Sequence, residues 1–132
     1  MKITADTNLL LRATLDDDPH QSHLAAKVLE TAELVAVPIP ALCEFVWVLR
    51  SGYKTPAEQI RASIDLLIQS PNVAFNRPAV EAGLALLKAG GDIADGIVAY
   101  EGVWLGAEEF VSFDVKAVTL LQSQGIRTRL LA

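Results

Sequence analysis

Acidic side chains stand at several positions of the sequence where they could take part in chemistry. Asp6 and Asp114 each directly follow a short β-prone run, and Glu44 is the one charged residue between positions 35 and 49. A lone carboxylate in so apolar a segment is either partnered or functional. Carboxylate oxygens are also the donors that hard divalent cations prefer in proteins. A carboxylate site, with or without a cation, is therefore the first hypothesis.

Two further acids, Asp92 and Asp95, flank the start of a predicted helix over residues 93–105. Their spacing of three puts them on one side of its first turn. An Asp N-cap followed by an acid at the third helical position is also an ordinary helix start, which would explain both without chemistry. Gly91 and Gly96 on either side indicate a surface left uncovered for the close approach of a ligand, which favours a functional role.

The elements expected around these acids alternate between strand and helix. Strands are predicted at residues 2–5, 34–37, 72–75, 110–113 and 126–130, and helices fill the intervals between them. This alternation favours an α/β protein with helices on both faces of a mostly parallel sheet of four or five strands. Ligands of such sheets bind at the carboxyl ends of the strands. Asp6 and Asp114 would lie there.

Local signals mark the ends of several helices. Asp18 is predicted as an N-cap with Pro19 at the first helical position, and residues 55–58 read as a capping box. Gly90 and Gly91 are expected to stop another helix. In the helix over residues 93–105, Ile97 and Val98 are expected to face inward. Apolar residues mark the other helices: Leu24, Val28, Leu29, Leu42, Phe45, Val46, Leu49, Ile60, Ile64, Leu67, Ile68, Val80, Leu84, Leu87, Ala117, Val118, Leu120 and Leu121.

Composition limits the class of protein. The 132 residues carry 16 acidic and 11 basic side chains, a formal net charge of −5, and one cysteine. We expect one domain over residues 1–132, without a disulfide framework or a Cys-rich zinc site. No run approaches the length of a membrane span and no secretory leader is evident, so the expected location is the cytoplasm. An acidic chain that handles nucleic acid needs a cation to offset its carboxylates.

Taken singly, each acid has an explanation without chemistry. Asp6 and Asp114 could be simple N-caps, and Glu44 a solvated side chain beside the apolar stripe of its helix. Together they would meet at one end of a parallel sheet, where clustered carboxylates repel one another at neutral pH. A hard cation, Mg²⁺ or Mn²⁺, makes such a cluster tolerable. The combination indicates metal-assisted phosphoryl chemistry.

These residues, in this order, resemble the motifs of the PIN-domain family. The matching segments are Ala5-Asp6-Thr7-Asn8, Ala41-Leu42-Cys43-Glu44-Phe45, Ile93-Ala94-Asp95-Gly96-Ile97-Val98 and Val111-Ser112-Phe113-Asp114. The resemblance covers nearly the whole chain. The short length and the opening motif look most like VapC-type toxins of bacterial toxin–antitoxin modules.

The resemblance implies a three-layer α/β/α PIN-like domain and an endoribonuclease that depends on Mg²⁺ or Mn²⁺. It implies that the catalytic and metal-binding acids are Asp6, Glu44, Asp95 and Asp114, with Asp92 as an accessory. Three neighbouring polar residues would orient the carboxylates or a water molecule: Thr7, Asn8 and Ser112. Structured RNA such as tRNA would be the substrate.

Four basic residues are candidates for contacts with the RNA backbone, although each could equally be a solvated surface charge: Arg12, Arg50, Lys54 and Lys116. The family also implies a homodimer and a VapB-like antitoxin as partners. Trp47 and Trp104 could then be either core or interface residues.

Other families that bind phosphate groups fit the sequence less well. A haloacid-dehalogenase-type phosphatase has a second Asp where this sequence has Asn8. The paired acids after the first strand of a response-regulator receiver are lacking. A nucleotide-binding Rossmann unit needs a glycine-rich turn after its first strand, and that turn contains no glycine here. The remaining alternative is a catalytically silent PIN-like module that binds RNA or protein.

Overall fold

The computed structural model describes residues 1–132, which divide into two compact units. Unit 1 covers Met1–Asn76 and unit 2 covers Arg77–Ala132. Unit 1 contains β1 (Lys2–Thr4), α1 (Thr7–Thr14), α2 (Pro19–Thr31), β2 (Leu34–Ala36), α3 (Ile39–Ser51), α4 (Ala57–Gln69) and β3 (Val73–Ala74). Unit 2 contains α5 (Arg77–Lys88), α6 (Ile93–Trp104), β4 (Phe110–Ser112), α7 (Val115–Ser123) and β5 (Thr128–Leu130).

The strands of unit 1 form a parallel sheet in the order β1-β2-β3. Ile3 lies opposite Val35, and Val35 lies opposite Val73. Val35 is completely buried because β2 is the central strand. Helix α1 packs against α2 and α3. The inner face of α3 is apolar at the positions that helical periodicity predicts, and its buried residues are Leu42, Phe45, Val46 and Leu49.

Unit 2 pairs its two strands in parallel, with Phe110 opposite Thr128. Its core contains Leu86, Ala99 and Leu121, with Phe110 packed against them. Helices α5 and α6 are in close contact. Unit 2 thus has an apolar core of its own.

The predicted α/β class is confirmed, since every strand pair is parallel and helices separate the strands along the chain. All five predicted strands are present. They form hydrogen-bonded groups of three and two rather than one continuous ladder. No helix has the combination of length and apolar character that a membrane crossing requires.

The predicted capping box at residues 55–58 is wrong. Helix α4 begins after Pro56, and no side chain caps it. The backbone N–H of Thr55 instead donates to Leu49 O at 2.9 Å, which ties this residue to the end of α3. The connection between α3 and α4 therefore determines the backbone conformation at Thr55.

Two predictions for α6 are also wrong. Val98, expected to face inward, is 57% exposed, whereas its neighbour Ile97 is buried. Gly96 does not leave room for a ligand, because a Cβ there would lie 2.6 Å from Ala82 O on α5. A Cβ at Gly91 would likewise come within 2.8 Å of an internal leucine side chain. These glycines permit close packing inside unit 2.

Candidate active site

Asp6 lies at the junction between β1 and α1. Its extended backbone makes it the N-cap of α1, and its Oδ1 accepts a hydrogen bond from Leu9 N at 2.8 Å. The side chain is exposed, and Oδ2 takes part in no hydrogen bond within the protein. The cap fixes one carboxylate oxygen and leaves the other without a hydrogen bond from the protein.

Glu44 projects from α3 into the same small cleft as Asp6. This cleft has a volume of about 360 Å³ and is lined by Asp6, Thr7, Asn8, Leu11 and Glu44. Thr7 Oγ1 donates to Ala41 O at 3.4 Å, a long hydrogen bond that links the start of α1 to α3 one turn before Glu44. Unit 1 therefore brings together two of the four predicted acids, and both Thr7 and Asn8 lie beside them.

The other acids lie at two helix starts of unit 2. Asp92 is the N-cap of α6, where its Oδ1 accepts from Ala94 N at 2.8 Å, and Asp95 is the third residue of that helix. Asp114 is the N-cap of α7 and accepts from Ala117 N at 3.0 Å. Helix capping therefore explains why acids stand at positions 92 and 114. It does not explain the acid at position 95, whose side chain caps no helix.

Asp95 differs electrostatically from an ordinary surface carboxylate. Burial raises its pKa, and the negative charges of Asp92 and Asp114 raise it further. No hydrogen bond or ion pair from the protein compensates the Asp95 carboxylate. Asp92 and Asp114 are thus close enough to Asp95 for their charges to disfavour its ionisation.

Ser112, predicted to orient a carboxylate, acts on the backbone instead. Its Oγ accepts a hydrogen bond from Asp114 N at 2.9 Å. This contact fixes the turn between β4 and α7 from which the Asp114 side chain projects. Ser112 thereby sets the position of Asp114 through the main chain.

The donor set fits a hard cation such as Mg²⁺ or Mn²⁺, because every candidate ligand is a carboxylate oxygen and none forms an ion pair. The structure contains no group of three or more His, Cys, Asp or Glu side chains arranged to hold a metal ion. Mg²⁺ commonly uses one or two carboxylates and keeps several waters.

The four predicted basic residues have different environments. Arg12 donates from Nη1 to Asp17 Oδ1 at 3.0 Å, and Tyr53 OH donates to the other oxygen of Asp17 at 3.0 Å. A hydrogen bond to Tyr53 raises the pKa of Arg12; burial opposes this rise and the charge of Asp17 adds to it. Arg50 is half-buried in the last turn of α3, Lys54 is exposed just after α3, and Lys116 is exposed in the first turn of α7.

The link between Arg12, Asp17 and Tyr53 was not predicted. The three residues belong to α1, to the loop after it and to the turn after α3, and no sequence spacing connects them. Their hydrogen bonds hold the end of α1 against the end of α3. Trp47 and Trp104 are 65% and 77% exposed, so neither is a core residue of this chain, whereas Phe45 is buried as predicted.

Comparison with known proteins identifies the family. The PIN-domain family model matches residues 3–114, a stretch that includes all four predicted acids. No curated protein matches the chain. PIN domains are generally metal-dependent nucleases, which agrees with the oxygen-rich donor set of the two units. The chain therefore belongs to the PIN-domain family and has a nuclease-type fold.

Proposed function

We propose that this PIN domain is a Mg²⁺- or Mn²⁺-dependent endoribonuclease, the toxin of a VapC-type toxin–antitoxin pair, with tRNA or another structured RNA as substrate. One observation carries the proposal: acids stand at all four family motif positions, and no cation of the protein pairs with any of them. For Asp95, burial and the charges of Asp92 and Asp114 disfavour the carboxylate, and a bound cation would relieve this cost.

In this proposal, residues 1–132 act as one domain with one active site. Unit 1 contributes Asp6 and Glu44, which share a cleft. Unit 2 contributes Asp95 and Asp114, with Asp92 as an accessory, and these three interact electrostatically. The carboxyl ends of parallel strands are where such contributions meet in α/β folds.

The chemistry proposed is hydrolysis of a phosphodiester bond. A bound Mg²⁺ or Mn²⁺ would supply a Lewis acid that neutralises the phosphate and lowers the pKa of a water molecule. The oxygen of water would bond to phosphorus while the bond to the 3′ oxygen breaks, leaving a 5′-phosphate and a 3′-hydroxyl. Asp6, Glu44, Asp95 and Asp114 would hold the cation.

The side chains of the protein prepare this site in specific ways. The cap bonds fix Asp6 and Asp114, so ordering these carboxylates costs little when a ligand binds. Asp95 retains its proton to a higher pH than an ordinary Asp, because burial and its acidic neighbours disfavour the charged form. A cation bound nearby would offset these effects and favour the charged form of Asp95.

The decisive experiment compares two identical substitutions at equivalent structural positions. Asp6→Asn and Asp18→Asn each replace a helix N-cap by an amide that also caps, at α1 and α2 respectively. We expect Asp6→Asn to reduce cleavage of a tRNA pool by at least about 100-fold, the scale of losing a catalytic group, and Asp18→Asn to cleave as the wild type does. Equal cleavage by wild type and Asp6→Asn, with contaminating nuclease excluded, would falsify the assignment.

Metal dependence is tested separately. We expect EDTA to stop cleavage and Mn²⁺ to restore it, and the melting temperature to rise with Mn²⁺ by mass action. Sequencing of RNA 5′ ends after brief expression of wild type and Asp6→Asn then identifies the target. RNA binding without metal-dependent cutting would instead establish the catalytically silent alternative.

The proposal includes a homodimer, a VapB-like antitoxin and a cytoplasmic location. Exposed apolar side chains in unit 2 support a protein-binding surface, because Val98, Leu105 and Phe113 are 57%, 80% and 73% exposed. Sedimentation should give twice the chain mass for the wild type and less for Leu105→Glu. A wild type that is monomeric at every concentration tested would contradict the dimer.

A further inference from the structure

The outer face of α3 carries a row of exposed residues that begins beside the candidate active site. Pro40, Glu44, Trp47 and Ser51 are exposed, while the opposite face of α3 is buried. Trp47 follows Glu44 by three residues, which makes the two side chains neighbours on the helix surface. A 65% exposed indole therefore lies next to a carboxylate of the cleft that Asp6 and Glu44 share.

Lys54, just beyond the end of α3, has an unusual backbone. It is the only non-glycine residue of the chain with a positive φ, 54°. Glycine adopts this conformation without strain, whereas a residue with a Cβ does not. Strain of this kind often marks a functional position. Lysine at a position that suits glycine indicates that the ammonium group has a use.

The turn that carries Lys54 is held in place from both sides. Thr55 N donates to Leu49 O at 2.9 Å, and Tyr53 OH donates to Asp17 Oδ2 at 3.0 Å. The backbone of Lys54 is thus fixed while its side chain stays exposed. A cation presented in this way can contact an anion with little loss of backbone freedom.

We propose that Trp47 and Lys54 form a binding subsite for a single-stranded segment of the RNA substrate. The indole of Trp47 stacks on a base beside the bond to be cleaved, and the ammonium of Lys54 contacts a phosphate of the same strand. Aromatic stacking combined with a cation on the backbone is the general mode of single-strand recognition. This inference rests on the proposed nuclease function and adds the side chains that position the substrate.

Charge favours RNA over a protein on this face. The exposed Lys54 adds a positive charge just beyond this face, although the whole chain has five more acids than bases. The exposed row on α3 is also mixed, with Glu44 and Ser51 on either side of Trp47, whereas a protein-docking surface has a continuous apolar centre. A second copy of this chain is the competing occupant of Trp47.

The kinetic test compares Trp47→Ala with Leu66→Ala. Leu66, on α4 of the same unit, is 71% exposed and lies outside the proposed subsite. We expect Trp47→Ala to raise KM about 10-fold or more, the scale of losing one stacked base, with kcat unchanged. Trp47→Phe should retain most of the affinity, and Leu66→Ala should match the wild type.

Lys54→Gly separates a binding role from a structural one. Relief of the positive φ should raise the melting temperature by about 3 °C, while the loss of the ammonium should raise KM. The salt dependence should also weaken, with the slope of log KM against log salt falling by about 0.7 for one phosphate contact on a single strand. A structural role alone predicts higher stability with unchanged KM and salt slope.

A direct binding measurement keeps this test independent of catalysis. In Trp104→Phe protein that also carries Asp6→Asn, Trp47 is the one remaining tryptophan. We expect a short single-stranded RNA of mixed sequence to quench its fluorescence. If wild type fails to cleave but this quenching occurs, the nuclease proposal fails and the RNA subsite stands.

Two outcomes overturn the subsite. In one, the wild type cleaves RNA while Trp47→Ala and Lys54→Gly keep the wild-type KM. In the other, Trp47→Ala converts a dimer into a monomer in sedimentation and RNA leaves Trp47 fluorescence unchanged. The second outcome assigns Trp47 to an interface between copies of the chain.

Discussion

Removing the charge of Asp95 should stabilise the metal-free protein at neutral pH. Asp95→Asn keeps the size of the side chain but removes a half-buried carboxylate that Asp92 and Asp114 repel. Two unit charges 4 Å apart in a water-like medium repel by about 1 kcal/mol. An acid in the first turn of a helix gains about 0.3–1 kcal/mol from the helix dipole, which the amide loses. Burial and the charges of Asp92 and Asp114 raise the pKa of Asp95, so we expect their cost to exceed this gain.

The expected net stabilisation is about 0.5–1 kcal/mol. For a domain of this size, 1 kcal/mol corresponds to about 3–4 °C in melting temperature. We therefore expect Asp95→Asn to melt about 2–3 °C above the wild type at pH 7 without metal. Asp65→Asn is the matched control, because Asp65 is also a half-buried helical acid and its substitution changes net charge equally.

The pH dependence follows from the direction of the pKa shift. A carboxyl whose pKa is raised by folding binds its proton more tightly in the folded state, so its charged form costs stability at high pH. This cost is relieved as the pH falls through the raised folded pKa towards the unfolded value of about 3.9. The advantage of Asp95→Asn should therefore disappear below about pH 3, where both states are protonated.

A divalent cation should reverse the order of stability. At ten times its Kd, Mn²⁺ would raise the free energy of unfolding of the wild type by about 1.4 kcal/mol. This gain is larger than the advantage that Asp95→Asn has without metal. The melting temperature of Asp95→Asn should respond only weakly to Mn²⁺. Differential scanning calorimetry with and without Mn²⁺ measures both arms. The reasoning is refuted if Asp95→Asn is less stable than the wild type in EDTA, or if Asp65→Asn behaves the same way.

Three further substitutions test the packing and capping that position the site, each measured by urea unfolding. Gly96→Ala should destabilise by about 1–3 kcal/mol, because its Cβ would lie 2.6 Å from Ala82 O, whereas Gly102→Ala, with its nearest atom 3.9 Å away, should not destabilise. Asn72→Ala should cost about 1–3 kcal/mol, because Nδ2 donates to two backbone carbonyl groups of the α2 end at 2.8 and 3.0 Å. Asp18→Ala should cost about 1 kcal/mol through loss of the α2 cap, and Asp18→Asn close to nothing. Equal effects within either matched pair would contradict these assignments.

The sequence predicts the elements well because their signals are local. Asp18 caps α2 and Pro19 begins it, as the residue types indicate. The apolar stripe of α3 is buried at the predicted positions because helical periodicity alone decides which face is covered. Position 125 likewise has a positive φ, 86°, as expected of a glycine just past a helix.

The failures have non-local causes. Gly96 looked like space for a ligand, but α5 occupies that space, and a helix contact of this kind leaves no trace in local spacing. Val98 fits the apolar pattern of α6 but is exposed. Periodicity alone does not distinguish an apolar side chain in the core from one on the surface. For the site, the sequence predicts which acids end strands or begin helices. The electrostatic coupling of Asp95 to Asp114 depends on the packing of α6 near α7.

Three of the acids, Asp6, Asp92 and Asp114, each cap a helix start through one carboxylate oxygen. An asparagine at the N-cap position stabilises a helix start nearly as well as an aspartate does. In the proposed enzyme, a single Asp→Asn mutation at one of these positions would remove a metal-binding carboxylate and still leave a well-folded protein. Inactive versions of the domain are accordingly easy for evolution to reach and to keep.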